Sequence, residues 1–195
     1  MEYLLGIDIG TSGCKSILID NSGNTAGAVV KEYRLYTPRA GWSEQEPEDW
    51  WKAVIEGILE LLKKTGISGE SIKGIGLSGQ MHGLVALDKQ DRVIRPAILW
   101  NDQRTSKQCD WITKKAGGLN GLLELTNNQM LPVIQAVNLS GLKKKNLKIM
   151  KGWLIFLIPR IIFGCSLQER GLRRFRMHRE PGCLMLKAEH GRKNC

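Results

Sequence analysis

The first twenty residues constrain the fold of this chain more than any other segment. Two apolar runs, 3–7 and 16–19, flank the tight sequence Gly10-Thr11-Ser12-Gly13. Two apolar runs joined by a turn of glycine and hydroxyl residues are typical of a β-hairpin. A further turn is predicted at Asp20-Asn21-Ser22-Gly23. The chain therefore begins with antiparallel strands.

The tip of this hairpin carries groups that suit an anion. Glycines allow the backbone to approach a ligand closely, and Thr11 and Ser12 add two hydroxyls. Asp8 lies just before the turn, where a carboxylate suits a Mg²⁺ ion bound to phosphates. The alternative is a plain hairpin whose Asp8 caps its own turn. Lys15 follows the turn and could approach a phosphate or extend into solvent.

After the hairpin, the hydrophobic periodicity predicts alternating helices and strands. A helix begins at Pro47, buries one apolar stripe and ends at Gly66. A second helix is predicted over 103–116 and is closed by Gly117-Gly118. Further strands are predicted at 26–36, 72–78, 84–88 and 94–100. An initial hairpin followed by such an alternation indicates an α/β domain with a mixed sheet.

The segment 74–79 spells G-x-G-x-x-G, which is found in dinucleotide-binding folds. In those folds the glycine loop opens a helix. Here the sequence that follows, Gln80 to Leu87, has the composition of a loop and then a strand. The context therefore argues against a dinucleotide site, and the chain also lacks the G-x-x-x-x-G-K-[ST] motif of P-loop enzymes.

Two short polar segments follow predicted strands. Gln80, Met81 and His82 lie in a loop, where an amide and an imidazole can bind sugar hydroxyls and a methionine can pack on carbon. From the residues alone, an ordinary exposed loop is the favoured interpretation. Asn101, Asp102 and Arg104 follow the strand that ends at Trp100, and strand ends are common ligand positions. Alternatively, Asp102 caps the next helix and pairs with Arg104.

Four segments in order resemble one family. Besides the hairpin, they are Gly-Trp-Ser-Glu-Gln-Glu-Pro at 41–47, Gly-Gln-Met-His-Gly at 79–83 and Pro-Ala-Ile-Leu-Trp-Asn-Asp-Gln-Arg at 96–104. Together they resemble the N-terminal part of FGGY-family carbohydrate kinases, most closely the xylulose-phosphorylating members, over residues 1–132. The resemblance implies an actin-like, ribonuclease-H-like ATPase fold, in which two domains enclose a cleft where the sugar and ATP meet.

The resemblance also implies roles for particular residues. It implies an enzyme that uses ATP and Mg²⁺ to convert D-xylulose to D-xylulose 5-phosphate, with Asp8 at the metal and phosphate end. The family's general-base Asp is expected beyond the end of this chain, so the chain alone is expected to be inactive. Trp42 and Gln45 match the family's Trp-x-Glu-Gln segment and are weaker candidates. The implied cofactor-binding residues are Asp8, Gly10, Thr11, Ser12 and Lys15, and the implied sugar-binding residues are Gln80, Met81, His82, Asn101, Asp102 and Arg104.

The basic excess of the chain lies at its C-terminal end. Residues 133–195 contain 14 of the 29 Lys and Arg residues but 3 of the 19 Asp and Glu residues. This segment has no consistent apolar period, so it is predicted to be a tail without a defined fold. Shifting the frame by one base permits three segments, in order, that resemble the kinase continuation. We therefore expect residues 133–195 to be translated out of frame.

Composition limits the other function classes. A basic interaction protein acting through the tail is one alternative, but charge without an ordered scaffold supports nucleic-acid binding poorly. A stand-alone sugar-binding module is another alternative.

The apolar run from Trp153 to Cys165 is too short and interrupted for a membrane span. Five cysteines without C-x-x-C spacing indicate a reducing compartment, and we expect a cytoplasmic protein without nucleic-acid or membrane partners.

Overall fold

The structure is a computed structural model that describes residues 1–88, 90, 92–132, 153–157, 175–180 and 183–188. It forms two compact units. Unit 1 comprises 1–34, 48–80 and 159–195, and unit 2 comprises 35–47 and 81–158. In chain order the elements are β1 (Tyr3–Ile9), β2 (Gly13–Asp20), β3 (Thr25–Glu32), β4 (Glu44–Gln45), α1 (Pro47–Thr65), a 3₁₀ turn (Gly69–Ser71), β5 (Ile72–Gly79), β6 (Val85–Asp88), β7 (Ala97–Ile98), α2 (Ser106–Lys115), α3 (Gly118–Thr126), β8 (Trp153–Leu157), β9 (Phe175–Glu180) and β10 (Cys183–Ala188).

The sheet of unit 1 is built around the predicted hairpin. Its strand order is β3-β2-β1-β5-β10-β9, and β1 pairs with β5 in parallel while the other neighbours are antiparallel. The G-x-G-x-x-G segment lies wholly within β5, so it is a strand and not a dinucleotide loop. The predicted α/β class with a mixed sheet is confirmed.

Helix α1 covers one face of this sheet. On β1, Leu5, Ile7 and Ile9 are buried while Asp8 is exposed, as the period of two in a strand requires. On the helix, Val54 and Leu61 are fully buried. Burial of the apolar face of β1 against this amphipathic helix forms the core of unit 1.

No helix in the described ranges has the length and apolar character of a membrane span.

Strands from the predicted tail take part in the pairing. β10 pairs with β5, and β9 pairs with β10. The tail, which is predicted to lack a defined fold, adds two strands at the β5 side of the sheet within the described residues. An edge strand offers unpaired N–H and C=O groups to an extended segment regardless of its side chains, which is the physical reason. β8, which also belongs to this segment, pairs with β6. For the rest of 133–195, the predicted lack of a fold falls outside the described residues.

Unit 2 contains shorter elements than the sequence predicts. β4 pairs with β7 over two residues, and β6 pairs with β8. The predicted strand at 94–100 shortens to β7, because β4 offers two partners and Pro96 has no N–H to donate. The helix predicted from 103 begins at Ser106. Helix α3 was not predicted, because the Gly117-Gly118 pair indicates an end, whereas Gly118, with φ of 88°, begins a new helix.

The close packing of β3 on the hairpin gives a stability prediction. A Cβ atom at Gly13 would lie 2.7 Å from the Lys31 carbonyl oxygen and 3.2 Å from Glu32 Cα. Gly13→Ala should therefore lower the free energy of unfolding by about 1–3 kcal/mol, because backbone must move. Gly69→Ala is the control, since nothing lies within 4 Å of its added Cβ, and it should change stability by less than about 1 kcal/mol. Urea denaturation of both variants measures this, and equal midpoints would contradict it.

Candidate functional site

The carboxylate of Asp8 lies at the end of a strand and is exposed. The buried residues Ile7 and Ile9 flank it on β1, so its side chain projects from the face opposite the core. In the strand register Asp8 is directly opposite Lys15 on β2 and beside Ser78 on β5. Directly opposed residues in antiparallel strands share a face, so Lys15 lies on the same side of the sheet as the carboxylate.

The predicted anion-binding turn follows immediately. The Gly10 N–H donates to the Gly13 carbonyl at 3.0 Å, which closes the turn around Thr11 and Ser12. The hydroxyl-bearing Ser12 is exposed, and Thr11 is half-buried. The structure therefore brings together all five of the predicted cofactor-binding residues at one end of β1 and β2.

Two further residues hold this turn from either side. The Tyr33 hydroxyl donates to the Gly10 carbonyl at 2.5 Å, and Gln80 Nε2 donates to the same oxygen at 3.3 Å. Sequence analysis missed Tyr33, since it lies 23 residues from Gly10 and belongs to no motif. Gln80 is placed on the hairpin by this contact, although the family resemblance assigns it to the sugar.

The Cys14 thiol and the Tyr33 hydroxyl, whose pKa values the Asp8 charge helps to raise, stay protonated at neutral pH. Burial, followed by the Asp8 charge, raises the pKa of the Cys14 thiol to about 11. Burial is also the main cause that raises the pKa of the Tyr33 hydroxyl, with smaller contributions from Cys14 and Asp8. At neutral pH Cys14 is a buried thiol rather than a nucleophile, and Tyr33 remains a hydrogen-bond donor.

The donor set at the hairpin fits a magnesium ion that is bound together with phosphate. Within the described parts of the chain, no group of three or more His, Cys, Asp or Glu side chains could hold a metal by itself. Mg²⁺ commonly keeps its waters and binds one or two carboxylates plus substrate phosphates. The exposed Asp8 beside a turn of N–H and hydroxyl donors matches that requirement.

Two residues of the predicted sugar-contacting loop begin the second segment of unit 2. Met81 and His82 follow the end of β5 in a bend and are both exposed, with Met81 at 49 %. Asn101 and its neighbour Trp100 are also exposed, beyond β7. These side chains present an imidazole, an amide and apolar surface to solvent, and such groups can bind a polyol.

Buried charges connect two loops of unit 2. The Arg104 guanidinium pairs with Asp102 at 2.6 Å and with Glu44 at 2.7 Å, and its side chain is 7 % exposed. Arg95 also pairs with Glu44. Burial lowers the pKa of Arg95, against the opposing effect of Glu44. We call Glu44, Arg95, Asp102 and Arg104 the charge cluster.

Asp102 has a different place from the one predicted. It is fully buried, accepting from the Ser43 N–H at 2.7 Å and from the Arg104 N–H at 2.9 Å. Its predicted pairing with Arg104 is confirmed, but the helix-cap interpretation is wrong, because α2 begins at Ser106 with Thr105 as its N-cap. Its carboxylate is enclosed by these donors, and its predicted contact with the sugar stays a prediction.

Trp42 packs against the charge cluster. The Arg104 guanidinium carbon lies 3.8 Å from the centroid of the Trp42 ring, and that of Arg39 lies at 5.0 Å. Such stacking of guanidinium on indole is favourable. Gln45 is buried on β4. The Trp-x-Glu-Gln segment thus supports the loop at 101–104, and Glu44 and Arg95 were missed because their partners lie far along the chain.

Comparison with known proteins places this geometry in a family. The sequence matches the FGGY family of carbohydrate kinases, N-terminal domain, over residues 3–163, which passes the boundary predicted at 132. It is 41% identical over 160 residues to the xylulose kinase of Bacillus subtilis (strain 168), covering 82% of this chain and 32% of that protein. The chain thus spans about a third of the length of the curated relatives it matches.

Solved structures agree with this match. The crystal structure of a xyloylose kinase from Brucella ovis is 36% identical with a TM-score of 0.77, covering 84% of this chain and 34% of that one. The ligand-bound xylulose kinase of Lactobacillus acidophilus is 27% identical with a TM-score of 0.75, covering 87% and 33%. On these grounds the chain belongs to the FGGY family of carbohydrate kinases, as part of its N-terminal domain.

Proposed function

We propose that this chain supplies the phosphate-binding hairpin and part of the sugar pocket of an ATP-dependent kinase that phosphorylates D-xylulose. One observation carries the proposal: an exposed Asp8 at the end of a buried strand, beside a Gly-Thr-Ser turn, in a chain that is 41% identical to a xylulose kinase. The sugar kinases of this family use ATP, and the proposed substrate is the one that its relatives' names give.

The hairpin would act on the phosphate end. Mg²⁺ bound with the nucleotide would neutralise charge on the transferring phosphoryl group. Asp8 supplies a carboxylate to the hydrated ion, and the turn at Thr11 and Ser12 supplies hydroxyl donors to phosphate oxygens. Lys15 shares a face with Asp8 and adds a positive charge. These residues position and stabilise the phosphate rather than attack it.

The sugar end would be formed by Met81, His82 and Asn101. Their exposure supports direct contact with the hydroxyls and carbon skeleton of a pentulose. We propose that Asp102 and Arg104 act by positioning, since both side chains are enclosed and hold the loop that carries Asn101. Holding a sugar hydroxyl in a fixed orientation lowers the entropic part of the barrier.

We further propose that the chain does not turn over alone and that it resides in the cytoplasm. Phosphoryl transfer needs a residue that accepts the proton of the attacking hydroxyl, and the family resemblance assigns that role to a second domain. The chain spans about a third of its relatives. A reducing compartment agrees with the free thiols of Cys14 and Cys109 and with the lack of C-x-x-C spacing.

Purified chain is therefore expected to give no turnover above the blank with ATP, Mg²⁺ and D-xylulose in a coupled assay. The physical reason is that the family resemblance assigns the general base to a second domain, and positioned substrates react slowly without that base. The Bacillus subtilis xylulose kinase, assayed in parallel, is the positive control. Clear turnover by the purified chain would refute the proposal, and tight pentulose binding without ATP would favour a stand-alone sugar-binding module.

Two variants separate the phosphate end from the sugar end. In a hybrid that joins residues 1–132 to the remaining part of the Bacillus subtilis relative, Asp8→Asn should lower kcat at least about a hundredfold, since charge stabilisation of the transferring group is lost. His82→Ala should raise the sugar KM about tenfold, as loss of one hydroxyl contact predicts, with a smaller effect on the ATP KM. Each variant is the other's control. An ATP-specific effect of His82→Ala, or unchanged kcat in Asp8→Asn, would contradict the assignment.

The domain boundary has its own test. We propose that residues 133–195 are translated out of frame, supported by their shortage of acidic residues and by the kinase-like segments that the shifted frame permits. Sequencing the gene is expected to show that one restored base near codon 132 opens a long kinase-like frame. If no such frame opens, the kinase match to residue 163 belongs to the chain as translated, and the proposal is wrong.

A further inference from the structure

The carbonyl oxygen of Gly10 receives hydrogen bonds from two side chains that are distant in sequence. The Tyr33 hydroxyl lies 2.5 Å from it and Gln80 Nε2 lies 3.3 Å from it. A carbonyl oxygen has two lone pairs, so these two donors use its full accepting capacity. Tyr33 follows the end of β3 and Gln80 follows the end of β5, so the donors come from strands on both sides of the hairpin.

The same two residues also donate hydrogen bonds to the hairpin through their backbone N–H groups. The Gln80 N–H donates to the Ile9 carbonyl at 2.9 Å, and the Tyr33 N–H donates to the Ser12 carbonyl at 3.4 Å. The Gln80 bond lies at the base of the turn, and the Tyr33 bond lies at its tip. The side-chain bonds to Gly10 then act on a backbone that is already close.

Close approach on both sides depends on glycines. A Cβ at Gly79 would lie 2.9 Å from the Ile9 carbonyl oxygen, and one at Gly13 would lie 2.7 Å from the Lys31 carbonyl oxygen. Both distances are shorter than normal van der Waals contacts. The missing side chains at these positions therefore let the ends of β5 and β3 reach the turn.

Fixing this carbonyl fixes the direction of the next amide. In a trans peptide the C=O of one residue and the N–H of the next point in opposite directions, and no cis peptide occurs in the described parts of the chain. With the Gly10 carbonyl held toward Tyr33 and Gln80, the Thr11 N–H points away from them. A flipped peptide would instead present a carbonyl oxygen on that side, which would repel a phosphate.

We propose that Tyr33 and Gln80 are positioning residues that hold the Gly10–Thr11 peptide in the orientation required for phosphate binding. The proposal rests on the phosphate role of the hairpin given under Proposed function. It assigns Gln80 to the phosphate end, in place of the sugar contact that the family resemblance implies. Burial raises the pKa of Tyr33, so its hydroxyl remains a donor throughout the physiological pH range.

The test uses the full 195-residue chain and Mg²⁺-tripolyphosphate as the probe, with binding followed by the NMR amide signals of Thr11 and Ser12. Tyr33→Phe and Gln80→Leu should each weaken probe binding about fivefold to tenfold, the effect of one lost hydrogen bond. The loss of probe-binding free energy in the double variant should be smaller than the sum of the two single losses, because both donors act on one oxygen. Tyr3→Phe is the matched control, since its hydroxyl is at the other end of β1, and bonds to the Met1 sulfur.

Melting temperature and amide exchange separate positioning from general stability. Tyr33→Phe should leave the melting temperature near that of Tyr3→Phe while it accelerates exchange at the Thr11 amide about tenfold. If Tyr33→Phe does not fold, Gln80→Leu carries the same test. Probe affinity and Thr11 exchange that stay at wild-type values in both variants would overturn the proposal.

The outcome also separates this proposal from the proposed function. If the wild-type chain does not bind the probe but Tyr33→Phe still accelerates Thr11 exchange, the hairpin is positioned as inferred and its phosphate role fails. If the wild-type chain binds the probe and neither variant weakens binding, the phosphate role stands and the positioning role fails.

Discussion

The two-sided pairing of β1 is the constraint on which the rest of unit 1 depends. This strand pairs with β2 on one side and with β5 on the other along its whole length, Tyr3–Ile9. Because side chains alternate, that register buries Leu5, Ile7 and Ile9 and exposes Asp8. A slip of one residue would move the apolar set to solvent and bury the carboxylate, so the hydrophobic core also fixes the position of the candidate metal ligand.

Glycines let the strand ends of this sheet come close enough to form the candidate binding site. Three strands end close to the same turn, and an ordinary side chain at Gly13 or Gly79 would collide with the neighbouring backbone. The space saved allows Tyr33 and Gln80 to reach the Gly10 carbonyl. The hairpin is thus supported by its neighbours rather than by its own turn alone, which agrees with the need for a preorganised binding group.

In unit 2, buried charges hold the loops together. Its short strands give little ladder pairing, and the loops around Ser43 and Asp102 are joined instead by the charge cluster. A buried ion pair is costly to desolvate, and removing one partner from such a pair typically costs about 3–5 kcal/mol. The cluster therefore contributes specificity of loop position, because one arrangement satisfies both carboxylates and alternative arrangements leave a buried charge unpaired.

The sequence by itself determined the elements that depend on local periodicity and turn chemistry. Apolar alternation and glycine placement predict the hairpin, the mixed α/β class, helix α1 with Gly66 just after its end, and the strand nature of 74–79. The predicted cofactor-binding residues could be named for the same reason, since they all lie in the short segment from Asp8 to Lys15.

The tertiary structure decided the contacts between residues that are far apart in the chain: Tyr33 and Gln80 with Gly10, and Glu44 with Arg95 and Arg104. No local pattern records such contacts, because they depend on strand order and loop closure. For that reason the sequence could name Asp102 as a ligand candidate but could not show that the fold buries its carboxylate against Ser43 and Arg104.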